Sequence, residues 1–119
     1  MVELPAIRVA KDQLVVWGHA DLGGVVGTYS VAGTYPNGGH YTGTVVVGWD
    51  GNCYPVTWTV NGKTSVGRGL FLSTTLAVGS VAGDGGFVLA VSPKDGKLQG
   101  LWVDMKGDTH LGAESWTRT

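Results

Sequence analysis

Apolar and polar residues alternate along this chain in short runs, too brief and too often cut by glycine to form helices. No window keeps apolar residues at i, i+3, i+4 and i+7 for more than a turn. Glycine inside a helix costs about 1 kcal/mol relative to alanine, so the frequent glycines count against helix everywhere. What remains are valine, threonine and aromatic runs broken at Asn37-Gly38, Asp50-Gly51, Asn61-Gly62, Asp84-Gly85, Asp95-Gly96 and Gly107-Asp108. Asn-Gly and Asp-Gly tolerate the positive φ angles of tight hairpins. The pattern predicts strands at about 25–35, 40–49, 53–60, 63–71, 75–82, 86–92, 97–105 and 109–117.

Eight consecutive strands joined by tight turns imply an all-β, antiparallel up-and-down β-barrel, closed so that no sheet edge is exposed. The expected architecture is a lipocalin/avidin-like or allene-oxide-cyclase-like meander. A β-sandwich is the alternative that the same spacing permits. Residues 1–22 form an N-terminal extension or extra hairpin, and Pro5 and Lys11-Asp12 argue against a central strand there. The barrel domain is then 23–119.

Side-chain parity tests the hairpins. Around Asp50-Gly51, Val45, Val47 and Trp49 share a face with Tyr54, Val56 and Trp58, and that face continues onto Ser65, Gly67 and Gly69. A three-residue loop at Lys106, Gly107 and Asp108 sets Trp102 opposite Gly112 and Gly100 opposite Glu114. Rings opposite glycines are what a crowded barrel interior requires.

Composition narrows the rest. The chain has 119 residues, enough for one domain, with a formal charge of -1 and 14% charged residues. That balance gives no footprint for nucleic acid. No apolar run reaches the roughly 20 residues of a membrane helix, and the expected strands are shorter than those of outer-membrane barrels. Met1 is not followed by the basic segment and apolar core of a secretory signal. Cys53 is the single cysteine, so an internal disulfide is excluded.

Several motifs form a set: Gly33-Thr34-Tyr35-Pro36-Asn37-Gly38-Gly39, Tyr41-Thr42-Gly43-Thr44-Val45, Tyr54-Pro55-Val56-Thr57-Trp58, Gly67-Arg68-Gly69, Leu76-Ala77-Val78, Leu98-Gln99-Gly100-Leu101-Trp102 and Gly112-Ala113-Glu114-Ser115-Trp116. Over about residues 27–118 this set resembles a family of small exported bacterial β-proteins often labelled fibronectin-binding. Val88 stands where that pattern leads one to expect tyrosine. The resemblance implies export or a periplasmic location and an extracellular protein partner, and carries over no catalytic residue.

Five tryptophans and four tyrosines are the strongest functional signal. Tyr54, Trp58, Trp102 and Trp116 are the candidate ligand-binding residues, because flat rings near glycines can line an apolar pocket or stack on a sugar. The same rings can equally fill the barrel. The acid–base candidates are Glu114, Asp104 and His110, the last two expected as cross-strand neighbours in the final hairpin. His19 and Asp21 make a second polar pair, but two ligands do not make a zinc site. His40 reads as a turn residue, Cys53 as a small strand residue, and Arg68 as an outward charge against aggregation. No metal site or cofactor is expected.

Three functions stay open: a non-catalytic module binding a small apolar, aromatic or sugar ligand or a protein partner; a barrel isomerase or cyclase using the last hairpin; and a structural or adhesion unit. A low charge fraction with abundant valine and threonine would also suit a homo-oligomer.

Overall fold

A computed structural model describes residues 24–81, 85–107 and 110–119. It is all-β: β1 (Gly27–Thr34), β2 (His40–Val47), β3 (Tyr54–Val60), β4 (Lys63–Leu72), β5 (Thr75–Ser80), β6 (Phe87–Lys94), β7 (Lys97–Asp104) and β8 (Gly112–Arg118). Each strand pairs antiparallel with the next, and β8 pairs with β1 to close the barrel. The sandwich is thereby excluded. Residues 1–22, with His19 and Asp21, lie outside the described residues. Among the described residues no helix is long and apolar enough to cross a membrane.

The predicted registers hold in β2–β4, where Val45 faces Trp58, Val47 faces Val56, and Trp58, Val56 and Tyr54 face Ser65, Gly67 and Gly69. They also hold in the last hairpin, with Trp102 opposite Gly112 and Gly100 opposite Glu114. One expectation fails: β8 starts at Gly112 and not near 109, and the β7–β8 ladder ends at Trp102. His110 is exposed ahead of the strand, and Asp104 is paired in register with Phe87 of β6. Asn61 and Gly62 take φ of 52° and 72°, and Asp95 and Gly96 take 54° and 75°, the left-handed pair that a two-residue hairpin needs.

Alternate residues of every strand point inward and form one core, in which Trp116, Leu76, Val45 and Val56 are 0% exposed. Successive strands reverse direction, so the turns after β1, β3, β5 and β7 share one end of the barrel. At the opposite end Tyr54 packs between Trp49 and Phe71, with ring centroids 4.8 and 6.5 Å away. There Arg118 donates to the carbonyls of Gly24 and Val26 and to the Tyr29 hydroxyl, and lies 4.9 Å above the Tyr29 ring. Residues 24–26 are thus strapped across that end.

Close strand approach explains particular glycines. A methyl group at Gly100 would run into the Ala90 carbonyl oxygen, which is backbone and has nowhere to go. At Gly79, on the outer face, the same methyl meets nothing within 4 Å. In urea denaturation, Gly100→Ala is therefore expected to lose about 1–3 kcal/mol as an overpacked site. Gly79→Ala should be unchanged or gain up to about 1 kcal/mol from a stiffer unfolded chain. Equal effects would mean that the β6–β7 approach is not tight.

Candidate functional site

Glu114 is the inward-facing residue of β8 between Gly112 and Trp116 and is 7% exposed. Its lateral neighbours are Gly33 on β1 and Gly100 on β7, so its side chain has no inward-pointing side chain directly beside it. The carboxyl group reaches into the barrel and accepts three hydrogen bonds. Tyr41 Oη donates to Oε2 at 2.5 Å, while Trp58 Nε1 and Trp116 Nε1 donate to Oε1 at 3.1 and 2.8 Å. Donors from β2, β3 and β8 thus converge on one group.

The neighbouring glycines make this geometry feasible. A methyl at Gly33 would overlap the Tyr41 ring, and one at Gly112 would overlap the Trp102 indole. Each ring lies flat across the bare Cα of the next strand, and in that way Tyr41 comes within reach of Glu114.

Above the carboxyl group, at the end shared by the turns after β1, β3, β5 and β7, is a cavity of about 180 Å³. Its wall is a circuit of rings. Tyr41 meets Tyr35 at 4.6 Å between centroids, Tyr35 meets Trp102 at 6.4 Å, Trp102 meets Phe87 at 6.0 Å, and Phe87 meets Trp58 at 5.0 Å. Glu114 closes the circuit between Trp58 and Tyr41, and Val60 and Ser65 complete the lining. Three of the four ring contacts are edge-to-face, at 83°, 63° and 79°, so adjacent walls stand nearly perpendicular as in a box.

Two groups in this wall are electrostatically unusual. The Tyr41 phenol is pushed well above the ordinary tyrosine range, first by burial and then by the negative charge and hydrogen bond of Glu114. The Trp102 N–H lies near enough to the Tyr41 oxygen to oppose that push slightly, but the geometry is not that of a hydrogen bond. Trp102 Nε1 is the buried side-chain polar atom without a partner among the described residues. That N–H is closed to solvent, and the Tyr41 oxygen is the polar group it acts on.

Of the expected ligand-binding residues, Trp58 and Trp102 line this cavity. Trp116 lies beneath it as a donor to Glu114, and Tyr54 belongs to the core near the opposite end. Glu114 is central, but neither Asp104 nor His110 is among its partners. The Asp104 carboxylate caps the Lys106 N–H at 2.9 Å.

Tyr35, Tyr41 and Phe87 are site residues that sequence reasoning passed over. Parity could have found Tyr41, which shares a face with Val45 and Val47.

Other features compete less well. A groove of about 510 Å³ on the outer face is floored by Ala32, Ala113 and Ser115, and the rings and carboxyl group turn away from it. A depression of about 290 Å³ by Val25 and Leu98 includes Arg118, whose guanidinium is engaged with residues 24–29. Cys53 Sγ accepts from Arg68 Nε at 3.3 Å and lies 3.6 Å from Asp50 Oδ2. The Asp50 carboxyl is held below its usual range by the Cys53 and Asn52 backbone N–H groups, which makes it a turn-stabilising group. Among the described residues no three His, Cys, Asp or Glu side chains group as a metal site. Neither a protein-family model nor a curated protein matches the sequence.

A raised phenol pKa fixes the sign of a pH effect. Above the ordinary value of about 10 the unfolded chain releases the Tyr41 proton while the folded chain keeps it, so stability falls as pH rises from there. At neutral pH, Tyr41→Phe is expected to lose about 1–3 kcal/mol with the hydrogen bond to Glu114. Its stability should then decline less steeply than the parent's between pH 10 and pH 11, roughly the onset of phenol ionisation. Parallel urea midpoints for the two proteins across that range would contradict the assignment.

Proposed function

We propose that this protein is a non-catalytic binding module whose barrel receives a small, largely apolar ligand in the ring-walled cavity above Glu114. The observation that carries this reading is the circuit of aromatic rings around an unfilled volume above a buried carboxyl group. An apolar box with one polar group in its floor is the usual composition of a small-molecule site, where rings supply contact area and a few polar groups fix orientation. A volume of about 180 Å³ is close to the ~150 Å³ that accommodates benzene in an engineered core. The occupant is therefore one ring or a group of similar bulk.

Catalysis by Glu114 has less support. Both carboxyl oxygens already accept hydrogen bonds, so proton transfer to a substrate would first have to break one of them. That arrangement suits a fixed charge or acceptor in the cavity floor better than an acid–base group.

The test is a fragment titration followed through the ¹⁵N-labelled indole N–H resonances. Binding fragments are expected to shift Trp58 and Trp102 together, and Phe87→Ala should weaken them by about tenfold, or ~1.4 kcal/mol. If no fragment moves either resonance, or if the hits map to the outer groove by Ala113, the cavity is not the site.

A further inference from the structure

We infer that the ligand class of this cavity is a small alkylated ammonium ion, of the quaternary-ammonium kind. This rests on the binding reading above and adds to it the sign of the ligand's charge.

The walls and the floor select for that sign together. Tyr41, Tyr35, Trp102, Phe87 and Trp58 surround the space in sequence, each ring in contact with the next, and all five line one volume. Ring faces carry the negative lobe of the aromatic quadrupole, and a cation enclosed by several of them is attracted by each. In the floor Glu114 accepts from a phenol and two indoles, all uncharged. Among the described residues no cationic side chain pairs with it, and no lining residue is basic. Neutral donors can hold a carboxylate in place, but they leave its net charge uncancelled inside a low-dielectric wall.

The apolar walls restrict the class further. An ammonium bearing several N–H groups needs an acceptor for each, but the walls are mostly carbon. Methyl groups on nitrogen spread the charge and present apolar surface to the rings.

Choline and its uncharged carbon analogue, 3,3-dimethylbutan-1-ol, match in shape and hydroxyl and differ in charge. In titrations read by the Trp58 and Trp102 indole resonances, choline is expected to bind at least about tenfold more tightly, a difference of ~1.4 kcal/mol. Glu114→Gln should narrow that ratio. Phe87→Leu, which keeps an apolar wall but removes a ring, should narrow it too, and it serves alone if the glutamine variant does not fold. If the two compounds bind equally, or the carbon analogue binds better, the cation assignment is overturned while the pocket stands. If neutral ring fragments bind and choline does not, the result is the same. If nothing shifts either indole, both readings fall. A ratio that no folded variant moves also overturns the assignment.

Discussion

One carboxyl group inside a hydrophobic cylinder sets the terms for the rest of this structure. Burying a charge without partners costs several kcal/mol, and removing one partner from a buried charged group is more damaging than never burying it. Glu114 is tolerated because Tyr41, Trp58 and Trp116 deliver three donors to its two oxygens. Those donors come from β2, β3 and β8, with β1 lying between β2 and β8. The carboxyl group therefore ties together the strands on either side of the seam where the last strand meets the first. Closure of the barrel and satisfaction of Glu114 depend on the same set of contacts.

That set depends in turn on residues with no side chain. Tyr41 crosses Gly33 to reach Glu114, and Trp102 lies across Gly112 on the other side. With a Cβ at either position the ring would have to stand up into the barrel, filling the space that is now a cavity. The glycines have two effects here: they admit the rings, and by laying them flat they leave room above the carboxyl group. A filled core and an open pocket thus share one barrel, the first around Trp116 and Leu76 and the second around Trp102 and Phe87.

The parts of this arrangement legible in the sequence are those governed by parity and turn chemistry. Asn61-Gly62 and Asp95-Gly96 fix two-residue hairpins, and the period of two then decides which residues face inward, Glu114 and Trp102 among them. Parity cannot supply the stagger between strands distant in sequence. Tyr41 and Glu114 are 73 residues apart and become partners only through closure of β1 on β8. For the same reason the inward orientation of Tyr54 and Trp116 was readable but their depth was not, and both proved to be core. The β7–β8 ladder that would make Asp104 and His110 direct neighbours is not continued to them. The ladder stops at Trp102, two residues short of Asp104.

A carboxylate is more expensive to bury than any residue needed merely to fill space. A leucine at position 114 would pack among rings without needing three donors, and stability alone gives no reason to prefer glutamate there. The charge is also placed asymmetrically, with Trp116 on its core side and the ring-walled cavity on the other. If the carboxylate served only to tie strands together, it would be best satisfied with its field screened by a neighbouring cation. Its partners here are neutral and the space beside it is lined largely by aromatic rings, so the field extends into the cavity. A buried charge left in that condition next to an empty volume is most simply explained by a positively charged occupant.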